Sequence, residues 1–378
     1  MNLADMLCYA DIHQLKRIAD KYGCECRGHS KHELIQSILS KVHRREVVDR
    51  LISELKAEDL RFLSTFLFDA RDVFSPEELM ARARQARFED GKAADGEEPF
   101  SPRHLINEYR SRGWLFNGMG KENRYLLQFP RDLKEKFSAI LMKRMAESLE
   151  YSAEPHVYRD ERGLIGEDIL HFLRFLSREH VPLTAAGFMY KRQLQQLLAS
   201  FSVEEPLPAK AAWRFGYGRR FKEYPERFSF IYDFCFYHGW IVEQEDRLEL
   251  SPEGTAVLER NSPISAVETY RFWLRLYKGP IHNIQTIAHW VEGLAKRWVS
   301  VRSLVKALLT YVKPYYYDDA ESVLVKRVLM MMMHLGLIAY GEEQEVGPVI
   351  RMHDLGSEII KGTYVEEDDR IEIPISEQ

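Results

Sequence analysis

The chain has 378 residues, 45% of them hydrophobic and 29% charged, with 53 Lys and Arg against 58 Asp and Glu, a net charge of −5. That length predicts two to three domains with several buried cores, and the composition excludes wholesale disorder, a collagen-like chain and low-complexity character. Four cysteines, Cys8, Cys24, Cys26 and Cys235, exclude a disulfide scaffold and predict a reducing, cytoplasmic setting, while the negative total sets the whole chain apart from histone-like proteins.

Leu3, Met6, Leu7, Ile12, Leu15, Ile18 and Ala19 recur at helical spacing, and Leu34, Ile35, Ile38 and Leu39 do so again, so residues 1–43 predict a two-helix hairpin. Gly23 fits a C-terminal cap between them, and Ser30 with Glu33 fits a capping box at the next helix. The order Leu15-Lys16, Ala19, Gly23, Gly28, Lys31, Glu33-Leu34-Ile35 and Ile38-Leu39 resembles a SAP-type or Rho-N-type helix-extended-helix module, a family that binds nucleic acid. It departs from that pattern by one extra residue before Lys31. The resemblance implies that Arg27, His29 and Lys31 meet phosphate at the second helix N-terminus, where backbone amides and the helix dipole favour an anion. The competing reading is a plain hairpin packed on the next domain. Cys24, Cys26, His29 and His32 have ligand types suited to zinc, but His32 falls inside a helix and Cys24 takes an apolar position, so ordinary turn residues are the expectation.

One pattern then occurs three times. A helical run ends in Gly and an apolar pair, a polar turn and a second apolar strand follow, and a capped helix closes the unit. The copies run through Gly113-Trp114-Leu115-Phe116 to Leu126-Leu127, through Gly239-Trp240-Ile241-Val242 to Leu248-Glu249-Leu250, and through Gly336-Leu337-Ile338-Ala339 to Val349-Ile350. Helix, tight Gly turn, hairpin and helix are the parts of a winged helix. The predicted fold is therefore mainly α with short β wings: the module 1–43, winged-helix-like domains over 44–150, 163–261 and 262–362, and an acidic tail over 363–378. Linkers are predicted at 88–102, 151–162 and 261–265.

In the second copy, Pro182-Leu183-Thr184 with Gly187, Lys191-Arg192-Gln193-Leu194, the Gly239 wing and Ser251-Pro252-Glu253-Gly254 resemble the helicase-associated winged-helix region related to the N-terminal part of the XPB helicase. The resemblance spans about residues 164–260 and implies association with nucleic acid or a helicase, with no catalysis of its own. No helicase motor is present in the sequence.

Phe228–Val242 and Val323–Tyr340 are the most apolar stretches, but Asp233, His238, Lys326, Arg327 and His334 interrupt them, which predicts buried helices rather than membrane spans. No cationic start followed by an apolar run marks a signal peptide. A phosphate loop, a zincin signature and a nucleophile elbow are all missing, so no enzyme and no cofactor are expected. Cys235 lies in an apolar helix and predicts an inert thiol, and Met330–Met333 predicts core or a yielding partner surface. Asp368, Asp369 and Glu372 partly mimic a metal-dependent nuclease site, but no Lys follows at the required spacing, and a disordered acidic tail is the expectation.

The stretch 209–227 interleaves Lys210, Arg214, Arg219, Arg220, Lys222 and Arg227 with Trp213, Phe215, Tyr217, Phe221 and Tyr224. Cations neutralise phosphates and rings stack on bases, so the mixture suits single-stranded or distorted nucleic acid. The competing reading is a loop anchored by its aromatics, with its charges in water. Arg103 and Arg110 lie on a helix in the recognition position of the first winged unit. The candidate contacts are thus Arg27, His29, Lys31, Arg103, Arg110, Lys191, Arg192, Arg214, Tyr217, Arg219, Arg220 and Lys222. The functional expectation is a non-enzymatic, DNA-binding adaptor for a helicase or repair machine. A protein scaffold without nucleic acid and a metal-dependent nuclease are the alternatives.

Overall fold

Asp11 divides the first helical run. Its carboxylate accepts the Gln14 amide at 2.7 Å, which ends one helix and caps another, so α1 (Leu3–Tyr9) and α2 (Ile12–Lys21) replace the single helix expected. Gly23 then turns left-handed (φ 59°), as a helix end requires. The computed structural model describes residues 1–24, 30–88, 101–208, 217–366 and 368–372; the expected contacts Arg27, His29 and Arg214 lie outside the described residues, as do Cys26 and most of the 88–102 segment. Ser30 stands at the N-cap of α3 (Lys31–Val42), but its hydroxyl makes no capping bond, so the expected capping box is not formed.

The chain divides into two compact units, 1–148 and 149–378. In the first, α4 (Arg45–Ser53) leads to α5 (Ala57–Leu67), β1 (Val73–Phe74), α6 (Pro76–Ala86), α7 (Pro102–Ser111), β2 (Phe116–Asn117), a short α8 (Gly120–Asn123), β3 (Leu127–Gln128) and α9 (Arg131–Glu147). The strands form an antiparallel sheet in the order β1-β3-β2. Phe62, Phe66, Phe74, Tyr109, Trp114 and Phe129 fill the core, with Phe66 stacked on Phe129 at 4.9 Å between centroids. The N-terminal helices are anchored to this core through Tyr22, whose hydroxyl accepts from Trp114 Nε1 and donates to the Arg112 carbonyl, both at 3.1 Å.

The second unit holds two further copies of the element order. Preceded by β4 (Tyr158–Arg159), which belongs to another sheet, one runs α10 (Leu164–Arg178), β5 (Val181–Pro182), α11 (Lys191–Leu198), α12 (Glu226–Tyr237), β6 (Ile241–Glu243), β7 (Arg247–Leu250) and α13 (Pro252–Arg260), with sheet order β5-β7-β6. The other begins after α14 (Ala266–Tyr277) and runs α15 (Ile284–Leu294), β8 (Val299–Ser300), α16 (Val301–Leu308), then α17 (Ala320–Ser322), π-helical Val323–Leu329 and α18 (Met330–His334) in one continuous run, followed by β9 (Ile338–Glu343), β10 (Gly347–Met352) and α19 (Asp354–Gly362). Its sheet order is β4-β9-β10-β8. Each copy is thus helix, strand, helix, helix, strand, strand, with the first strand paired to the last. The molecule is mainly helical with small antiparallel sheets.

One expectation changes here. Residues 151–162 are not a linker, because β4 pairs antiparallel with β9 (Tyr158 opposite Gly341, Arg159 opposite Tyr340) and extends the sheet of the third copy. The glycines Gly254 and Gly356 open the closing helices for a steric reason. A Cβ on either would stand 2.2 Å from the Trp240 carbonyl oxygen or 2.3 Å from that of Leu337. The apolar stretches behave as expected: every residue from Arg227 to Cys235 is buried on α12, and Met331, Met332 and Met333 are core. Among the described residues, no helix is long and apolar enough to cross a membrane.

Candidate functional site

The described part of the basic, aromatic stretch, from Tyr217 onward, folds inward. Tyr217 is buried, with its ring edge-on to Tyr277 at 5.0 Å and Tyr315 at 5.6 Å, and the Arg327 guanidinium lies 5.5 Å from its centroid. Arg219 is buried as well; its amide donates to Asp233 Oδ2 at 3.1 Å, and its guanidinium lies 3.6 Å from the Phe236 centroid. Arg219 and Arg220 both converge on Glu243, with Nη2 to Oε2 distances of 3.1 and 2.7 Å. The Tyr232 hydroxyl donates to the same carboxylate at 2.6 Å. Burial works against a charged Glu243, yet Tyr232 and the two arginines outweigh it and hold its pKa below the ordinary carboxylate range. These cations are committed to an internal acid. Tyr217 anchors the loop as the competing reading expects, but Arg219 and Arg220 do not face water as that reading expects; they are held inward by Glu243, and of the described cations in the stretch only Lys222 is exposed.

Arg227 is wholly buried at the centre of a second cluster. Its Nη1 donates to Asp168 Oδ2 at 2.6 Å, and its Nε lies 3.4 Å from Glu161 Oε2. Glu161 also meets His334 Nδ1 at 2.9 Å and Arg159 at 2.5 Å. Burial opposes the Glu161 carboxylate, and the His334 hydrogen bond with the nearby charges overrides it to keep the pKa low. Glu205 accepts the amides of Arg227 and Phe228, both at 2.9 Å, and so caps α12; here burial wins and its pKa is raised. These residues join α10, α12, α18 and the segment around β4. No expectation had grouped them, although Asp168 on the apolar face Ile165, Ile169, Phe172 was a readable signal.

The first unit presents its cations differently. On α7, Arg103, His104 and Asn107 are exposed, while Leu105, Ile106 and Tyr109 face the core. Arg110 donates to Asn117 Oδ1 at 3.1 Å, which ties α7 to β2. On the β2–β3 connection, Arg124 and Tyr125 are exposed, Tyr125 at 81%. Arg124 and Tyr125 were missed because the turn was read for glycines rather than charge. α2 lies along another side of α7, where Lys21 pairs with Glu108 at 3.1 Å. Lys31 is exposed and donates to the Cys8 carbonyl at 2.6 Å. In the second unit, Lys191 and Arg192 are exposed at the start of α11.

Of the expected disordered tail, residues 363–366 and 368–372 are ordered against the second unit, while Glu367 and residues 373–378 lie outside the described residues. Val365 is buried, Lys278 Nζ donates to the carbonyls of Val365 and Glu366 at 3.2 and 2.6 Å, and Arg275 meets Asp369 at 2.6 Å. Asp369 therefore has a cation already, and Glu372 pairs with Arg370. No cluster of three metal-ligating side chains occurs among the described residues. Cys235 is fully buried, and burial pushes its thiol pKa up, the condition of an unreactive sulfur. Compared with known proteins, the chain matches no family model, no curated protein and no solved structure.

Proposed function

We propose that the chain is a non-enzymatic nucleic-acid-binding adaptor built of three winged helices, and that its first winged helix makes the contact. The repeated element order and the pairing of first strand with last support the winged-helix assignment. In such folds the third helix enters the major groove and the hairpin flanks it. The observation that carries the proposal is that α7 offers Arg103, His104 and Asn107 to solvent, and the hairpin of the same copy, tied to α7 through Arg110 and Asn117, exposes Arg124 and Tyr125. The third helices of the other copies are core, and their hairpins carry Glu245 and Asp246, or Glu342, Glu343 and Glu345, which repel phosphate. DNA is the proposed ligand, and the resemblance of residues 164–260 makes a helicase or repair machine the proposed partner of the second unit.

The test is a salt titration of the full chain on duplex DNA. Reversing Arg103 and Arg124 to Glu is expected to weaken binding and to lower the log–log salt slope by about 0.9 per lost phosphate contact. Absence of wild-type binding at low salt would overturn the proposal. A second reading, a scaffold without nucleic acid, is favoured by the burial of α12 and α18; stable co-purification of one protein after nuclease treatment, with no DNA binding, would select it.

A further inference from the structure

Between Glu292 and Asp318 the sequence has no acidic residue, and it carries Lys296, Arg297, Arg302, Lys306 and Lys313. β8 and α16 lie in this stretch. Lys296, Arg297, Arg302 and Lys306 are all exposed, and among the described residues none of them has a carboxylate within ion-pair distance. Several arginines elsewhere in the unit are neutralised: Arg219, Arg220, Arg227, Arg275 and Arg327 each hold an acid. The β8–α16 face is arranged otherwise. Arg297 lies over the Tyr151 ring at 4.1 Å, and Arg351 of the neighbouring β10 lies over the Trp298 ring at 5.0 Å with Glu154 only at 3.8 Å. Rings hold guanidinium groups in place without cancelling their charge.

Arg302 and Lys306 are four residues apart on α16, so they share a helix face, and like charges at that spacing weaken a helix. The inner residues Val301, Leu304, Val305 and Leu308 already anchor α16 without them. Folding therefore gives no account of this concentration of cations. A polyanion does, because each phosphate brought to an unpaired cation releases condensed counterions.

We propose that the β8–α16 face, through Lys296, Arg297, Arg302, Lys306 and Arg351, is a second nucleic-acid contact that takes the phosphate backbone independently of sequence. It rests on the reading of the chain as a nucleic-acid binder but not on the α7 site. A backbone grip on the second unit, joined in one chain to α7 on the first, makes the protein bivalent on long nucleic acid, and affinity rises through effective concentration.

The test compares full-length wild type, Arg302→Glu/Lys306→Glu and Arg103→Glu/Arg124→Glu on a long duplex across salt, with anionic phospholipid vesicles as a second ligand. The α16 reversal is expected to weaken DNA binding and lower the salt slope by about 0.9 per cation lost. The charge-keeping exchange Arg302→Lys/Lys306→Arg should restore both, and an unchanged thermal midpoint verifies folding. Unchanged DNA affinity and slope in the α16 reversal, or binding to vesicles but not DNA, would overturn the inference. Loss in the α16 variant with none in the α7 variant upholds this face and removes the α7 site; the converse does the opposite. No wild-type binding to DNA removes both.

Discussion

Arg227 donates to Asp168 at 2.6 Å, and neither side chain exposes any surface. Arg247 and Glu249 are the same kind of pair at 2.7 Å but with each side chain more than two-fifths exposed. The two pairs differ in solvent, and the difference sets what each contributes. Removing one partner of a buried pair strands the other charge and costs about 3–5 kcal/mol, whereas an exposed pair contributes about 0–1 kcal/mol. Asp168→Ala is expected to lower unfolding free energy by about 3–5 kcal/mol in urea, and Glu249→Ala by less than about 1 kcal/mol. Equal losses would mean that Asp168 is better solvated than its burial indicates.

Charge reversal in the 217–224 segment separates fold from ligand. Arg220→Glu places an acid against Glu243 and is expected to unfold or strongly destabilise the second unit, seen as loss of cooperative melting. Lys222 is exposed and holds no acid among the described residues, so Lys222→Glu should leave the melt and the DNA affinity unchanged. A fall in DNA affinity with Lys222→Glu at constant stability would return this segment to the binding surface.

Gly356 is expected to tolerate no side chain. An added Cβ would stand 2.3 Å from the Leu337 carbonyl oxygen, and backbone cannot swing aside as a flexible side chain does. Gly356→Ala should cost about 1–3 kcal/mol through overpacking. Gly362→Ala at the end of the same helix, where nothing lies within 4 Å, should be near neutral in the same thermal scan.

Burial holds His289 down from 6.5 to about 4, against the pull of Glu292. The unfolded chain therefore takes up a proton at higher pH than the folded one. Stability from this group is full above about pH 6.5 and is lost as pH falls towards about 4, at up to about 1.4 kcal/mol per pH unit. His289→Gln should flatten that part of the stability–pH curve; an unaltered curve would show that His289 takes up its proton as readily in the folded chain as in the unfolded one.

The three copies were legible because glycine, an apolar pair and a capped helix recur with fixed chemistry, as at Gly239, Ile241 and Ser251. β1, β5 and β8 were not, since two residues carry no alternation to detect. The ionic clusters were hidden for another reason. Glu161, Asp168, Arg227 and His334 come from distant parts of the chain, and a single charge in sequence looks solvated until its partner is known. For 217–227 composition alone was ambiguous, and the described residues differ from it through Glu243: an acid on the following hairpin takes Arg219 and Arg220. The acid-free run around α16 was readable and was passed over because positive charge was sought by density rather than by the lack of neutralising residues.

The strand β4 has a consequence for the order in which the chain is made. Tyr158 and Arg159 leave the ribosome long before Gly341 and Tyr340, their partners on β9. Throughout synthesis of the second copy, the segment ahead of it waits unpaired, with Glu161 separated from His334. Pairings this far apart in sequence form late and slowly. The second and third copies thus mature as one cooperative piece, and a nascent chain halted near residue 261 carries an open edge of the kind that chaperones cover.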